Sequence, residues 1–116
     1  MRVLLAEDDA VLAEVALEAL GDDGHTVTHV TTLADARKLA AVDQWDVLIV
    51  DGFGPSYDRP AAEEREALVE LASHGRVVLA TCRPWATEVR PEDLGVTAVL
   101  SKPYDLDRLL ETVRSR

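Results

Sequence analysis

Four short apolar runs in this 116-residue sequence end in residues able to handle a charged group. Val3-Leu4-Leu5-Ala6 is followed by Glu7-Asp8-Asp9, Asp46-Val47-Leu48-Ile49-Val50 by Asp51, Val77-Val78-Leu79-Ala80 by Thr81, and Thr97-Ala98-Val99-Leu100 by Ser101-Lys102. Carboxylates such as Glu7, Asp8 and Asp51, brought together in a poorly solvated cleft, repel one another and need a counter-ion. Oxygen ligands without clustered histidine or thiolate suit Mg²⁺ with several waters retained, rather than zinc. A cation with open positions, placed beside an ammonium and a hydroxyl, suits a phosphoryl group. Metal and lysine would neutralise its oxygens, and the hydroxyl would donate to another.

The elements that must position these residues alternate from end to end. The four runs read as strands, and Thr26 to Thr31, with Val27 and Val30 among polar residues, as a half-exposed edge strand. Between strands come helical patterns. The first has apolar residues at Leu12, Val15, Ala16, Ala19 and Leu20, with Asp9 as its N-cap and Gly21 and Gly24 closing it. Thr32 with Asp35 forms a capping box for the second. Pro60, Glu63 and Glu64 open the third, which buries Ala67, Leu68, Leu71 and Ala72 and stops at Gly75. Pro84 and Pro91 bracket a short or interrupted fourth helix. The last is capped by Asp105 and buries Leu106, Leu109, Leu110 and Val113. Five strand–helix alternations predict an α/β doubly wound parallel sheet, (βα)5, with the reactive site at the carboxyl ends of the strands.

Length and composition narrow the function. The chain suits one domain over residues 1–116. A formal charge of −10 with no basic tract disfavours direct binding of nucleic acid and favours a cation or a basic partner. No apolar run approaches membrane-spanning length. The single cysteine, Cys82, excludes an internal disulfide framework, fits a reducing, cytoplasmic setting, and reads as a small apolar filler. Lysine occurs only at Lys38 and Lys102, which draws attention to the second. The histidines, His25, His29 and His74, lack metal-like spacing and are expected to be exposed. Glu63-Glu64-Arg65-Glu66 reads as a solvated helix face.

The constellation resembles the receiver domain of two-component response regulators over the whole chain. Glu7-Asp8, Asp51, Thr81 and Lys102-Pro103 stand in the family's order and at similar separations. The resemblance implies the flavodoxin-like strand order 2-1-3-4-5. It also implies Asp51 as phosphoacceptor, Asp8 as a direct Mg²⁺ ligand, Glu7 as a ligand through water, and the backbone carbonyl of Phe53 completing the protein's share of the metal shell. Thr81 and Lys102 would bind the phosphoryl group and relay the switch, with the Lys102-Pro103 bond cis. Implied partners are a sensor histidine kinase or phosphotransfer protein, and an output domain or second copy on the face made by helix four, strand five and helix five. Catalysis would be confined to phosphorylating and dephosphorylating itself, so the chain is not expected to be an enzyme.

The sequence departs from the family where the signal is transmitted. The loop after Asp51 reads Gly52-Phe53-Gly54-Pro55-Ser56-Tyr57, Cys82 follows the threonine, and Val99 replaces the aromatic three residues before the lysine. These departures leave an alternative, a degenerate receiver that binds partners without phosphate. A Mg²⁺-dependent phosphatase with an aspartyl nucleophile is disfavoured, because Phe53 stands where a second aspartate would act as acid/base.

Overall fold

The structure, a computed structural model, describes residues 1–51, 62–81, 90–102 and 105–114. The chain runs β1 (Arg2–Ala6), α1 (Ala10–Asp22), β2 (Thr26–Val30), α2 (Leu33–Val42), β3 (Val47–Asp51), α3 (Ala62–Ala72), β4 (Arg76–Thr81), α4 (Pro91–Leu94), β5 (Ala98–Ser101) and α5 (Leu106–Arg114). All strands pair in parallel, in the order β2-β1-β3-β4-β5. This is the doubly wound, flavodoxin-like order that the resemblance implies. Three of the reactive residues lie at strand ends rather than just beyond them: Asp51, Thr81 and Ser101 close β3, β4 and β5.

Helices on both faces explain why the central strands read as continuous apolar runs. One core layer joins Leu4, Leu48, Val50 and Leu79 to Leu68 and Leu71 of α3. The other joins Val3, Leu5, Val47 and Ile49 to Leu20 of α1 and Leu109 of α5. Edge strand β2 alternates between exposed and half-buried positions, as its mixed composition predicts. Asp9 caps α1 by accepting from the N–H groups of Val11 and Leu12. Thr32 caps α2 by accepting from Asp35 N–H at 3.1 Å.

Four readings of the helices are corrected. Helix α1 buries Ala13, Ala16 and Leu20, and leaves Leu12 and Val15 outside. Its small residues face the sheet, which lets the helix lie close. Gly21 falls within α1, and the turn is made at Gly24, whose φ of 89° is open to glycine at no steric cost. Helix α4 is short, as expected, but Pro91 opens it at the first helical position, where its missing N–H is not needed, instead of interrupting it. Leu106 remains exposed at the start of α5, while Leu109 and Val113 are buried as expected.

The pole of the sheet opposite the reactive rim is tied by arginines. Arg2 pairs with Asp43 at 2.6 Å and lies 4.7 Å over the Trp45 ring, and its guanidinium holds the Asp43 carboxyl down at about 2. Arg76 donates to the Val113 carbonyl at 2.9 Å, and Arg114 pairs with Asp23, which also meets His25 at 3.2 Å. Gly75 belongs to this pole. A Cβ there would stand 2.5 Å from the Trp45 carbonyl oxygen and 2.7 Å from Leu48 Cδ1. Backbone cannot yield as a side-chain tip can, so Gly75→Ala is expected to destabilise the fold by about 1–3 kcal/mol. Urea unfolding measures it, and an unchanged midpoint would refute the close packing.

Candidate functional site

Strand alternation decides which side chains meet at the rim. Val3 and Leu5 of β1, Val47 and Ile49 of β3, and Leu100 of β5 all enter the core layer beneath α1 and α5. Two residues on, the same alternation carries Glu7, Asp51 and Lys102 to that side of the sheet. Val77, Leu79 and Val99 enter the opposite layer, so Thr81 continues the other series, toward α3 and α4. The chemistry and the threonine thus approach the rim from two faces.

Lys102 Nζ donates to Glu7 Oε1 at 2.6 Å and to Asp51 Oδ1 at 2.9 Å. These side chains are only 11%, 4% and 13% exposed respectively. The Lys102 backbone N–H donates to the Thr81 carbonyl at 2.8 Å, which joins the ends of β4 and β5, and Thr81 is itself fully buried. Asp8 is exposed at the mouth. One oxygen from each of Glu7, Asp8 and Asp51 lies within 4.8 Å of the others.

Burial raises the Asp51 carboxyl to about 7, against the opposing pull of Lys102. The Glu7 charge and a hydrogen bond to Asp8 add to the rise. The same hydrogen bond holds Asp8 below its ordinary value. Burial disfavours the Lys102 ammonium, but its bonds to Glu7 and Asp51 outweigh that, and its pKa lies above the ordinary value.

The donor set fits a hard divalent cation. Carboxylate oxygens that lie within 4.8 Å of one another are close enough to share one such ion. Asp8 offers its oxygen from the open mouth, while Glu7 is buried and engaged by Lys102.

The expected Glu7, Asp8, Asp51 and Lys102 are therefore brought together, and Thr81 stands beside them. Phe53, Cys82, Pro84 and Pro103 lie outside the described residues. The three histidines are half-buried, contrary to expectation. One of them reaches the site: His29 Nε2 donates to the Glu7 carbonyl at 2.9 Å. Its only signal in the sequence is that it shares the alternation of Val27 on the edge strand.

No family model matches the chain. It is 34% identical over 119 aligned residues to the response regulator protein PmrA of Pseudomonas aeruginosa, covering 99% of this chain and 52% of that protein. The non-phosphorylated HemR receiver domain from Leptospira biflexa superposes with a TM-score of 0.77 at 27% identity, over 97% of this chain and 90% of that one. The chain is a response-regulator receiver domain. The Francisella response regulator 1452 receiver domain, 20% identical, shares the fold with a TM-score of 0.81 over 97% of this receiver and 93% of that chain. This receiver spans about half the length of the curated relatives it matches.

The Asp51 carboxyl titrates near 3.8 when unperturbed and near 7 in the fold. Between those values the folded receiver holds the extra proton, so its stability falls as pH rises. Asp51→Asn removes that dependence. In metal-free buffer the variant is expected to melt above the parent at pH 8, with the gap closing toward pH 5. Melting curves with parallel pH slopes would contradict the buried, repelled carboxylate.

Proposed function

We propose that this receiver accepts a phosphoryl group on Asp51 from a histidine kinase or phosphotransfer protein of a two-component system, and relays that event through Thr81 and Lys102. The observation that carries the reading is the meeting of Glu7, Asp8 and Asp51 with the Lys102 ammonium, beside buried Thr81, at one rim. Glu7, Asp8, Asp51 and the Phe53 carbonyl would hold Mg²⁺. When bound, that ion neutralises charge on phosphoryl oxygens.

The chain's own residues do the rest. Asp51 gives up its proton, and one carboxylate oxygen attacks the phosphorus of the donor phosphohistidine. The new O–P bond forms as the P–N bond breaks, and the imidazole nitrogen keeps the pair and takes a proton from solvent. Lys102 turns from the Asp51 carboxylate to a phosphoryl oxygen, and the Thr81 hydroxyl donates to another. Hydrolysis of the acyl phosphate returns Asp51, so the receiver acts only on itself and is not an enzyme toward a separate substrate.

The partner needs a surface beside the acceptor. Val11, Leu12 and Val15 on the first turns of α1, and Leu106 on the first turn of α5, are exposed apolar residues on two helices that pack side by side. That placement favours a helical protein donor over free phosphate metabolites. A cytoplasmic location accords with such a donor, and among the described residues no helix is long and apolar enough to cross a membrane.

Output would leave by the other face. Val99 is half-buried in the layer beneath α2 and α3, on the side that Thr81 faces. A β-branched side chain has few rotamers and cannot swing between buried and exposed positions as an aromatic does. The change on the α4–β5–α5 face, where an output domain or second copy would bind, is therefore expected to be small. Hydrogen exchange with and without a phosphoryl mimic reads it. Large matched changes through β5 and α5 would show that the aromatic is dispensable.

Incubation with a small phosphodonor and Mg²⁺ is expected to add a single phosphate by mass spectrometry, with none on Asp51→Asn and little on Asp8→Asn. An adduct on Asp51→Asn, or none on the parent, would reject the acceptor role.

A further inference from the structure

We infer that His29 is a positioning residue for the acidic centre, acting through the backbone of Glu7. The inference rests on the reading of Glu7, Asp8 and Asp51 as a cation site. Strand β1 ends at Ala6, and the ladder to β2 ends with Ala6 opposite Val30. The Glu7 N–H is still held, donating to the Val30 carbonyl at 3.0 Å. Its carbonyl lies past the last paired residue, in a residue that is only 3% exposed. A buried carbonyl without a donor is costly, and one that turns to find water carries its side chain with it.

His29 stands opposite Leu5, on the same side of the sheet as Glu7, and its ring closes the gap at 2.9 Å. A carbonyl oxygen only accepts, so Nε2 carries the proton. Both polar groups of the Glu7 peptide are then fixed by consecutive residues of β2. That holds the side chain where Oε1 accepts from Lys102 at 2.6 Å and Oε2 accepts from the Asp9 N–H at 3.3 Å. Edge strand β2, which delivers no ligand of its own, thereby contributes to the site. Groups behind a metal's ligands tune affinity by orienting them.

The test compares the full chain with His29→Leu, which removes the donor, and His29→Gln, whose amide N–H can reach the position of Nε2. Mg²⁺ affinity is measured by titration calorimetry, and thermal melting is followed alongside. His29→Leu is expected to weaken Mg²⁺ binding about fivefold, the change that one hydrogen bond of ordinary net strength represents. His29→Gln is expected to recover affinity to within about twofold of the parent. If His29→Leu fails to fold, His29→Asn, whose amide is too short to reach, takes its place. Parent-like Mg²⁺ affinity in the variant without a donor would overturn the inference, even if melting falls, because His29 would then be structural only. A His29→Gln protein as weak as His29→Leu would overturn it as well. Phosphorylation of the parent is scored separately. Its failure rejects the acceptor function, while the Mg²⁺ series alone decides His29.

Discussion

One ammonium shared by two buried carboxylates sets the terms for the whole rim. Lys102 reaches Glu7 and Asp51 together, and without it the carboxylates that β1 and β3 deliver would face each other in a poorly hydrated cleft. Burial on this scale disfavours every charge present. The fold tolerates it by pairing Lys102 with two partners, while the Asp51 carboxyl is raised and that of Asp8 lowered. The resting site is thus already a charge-compensated assembly.

The parallel sheet makes this arrangement compact. Glu7, Asp51 and Lys102 extend the alternation of three strands toward α1 and α5, while Thr81 and Val99 belong to the side of α3 and α4. The two sets lie back to back across one sheet, and a bond from the Lys102 N–H to the Thr81 carbonyl joins them.

Most of this was legible in the sequence because buried parallel strands leave a plain mark. Uninterrupted apolar runs end abruptly in charge, and the positions of Glu7, Asp8, Asp51 and Lys102 follow directly from those ends. The face of α1 was not legible, since bulk draws the eye to Leu12 and Val15 while the helix buries Ala13 and Ala16. Only the space between helix and sheet decides that choice. His29 was hidden for a different reason. Its contact depends on the register of β2 against β1, and a lone histidine on a half-exposed strand carries no local sign of what lies across the ladder. Strand ends shifted by one residue at Asp51, Thr81 and Ser101, because hydrogen bonding to the neighbouring strand continues past the point where apolar residues stop.

The arginine ties at the far pole have a mechanical consequence. Arg2 ties the amino end of β1 to the end of α2, Arg76 ties that of β4 to the last turn of α5, and Arg114 ties α5 to the end of α1. The rim, by contrast, is closed by Lys102 with two carboxylates. Base and rim are therefore held separately, the one by arginines between elements distant in the chain, the other by a lysine between two carboxylates.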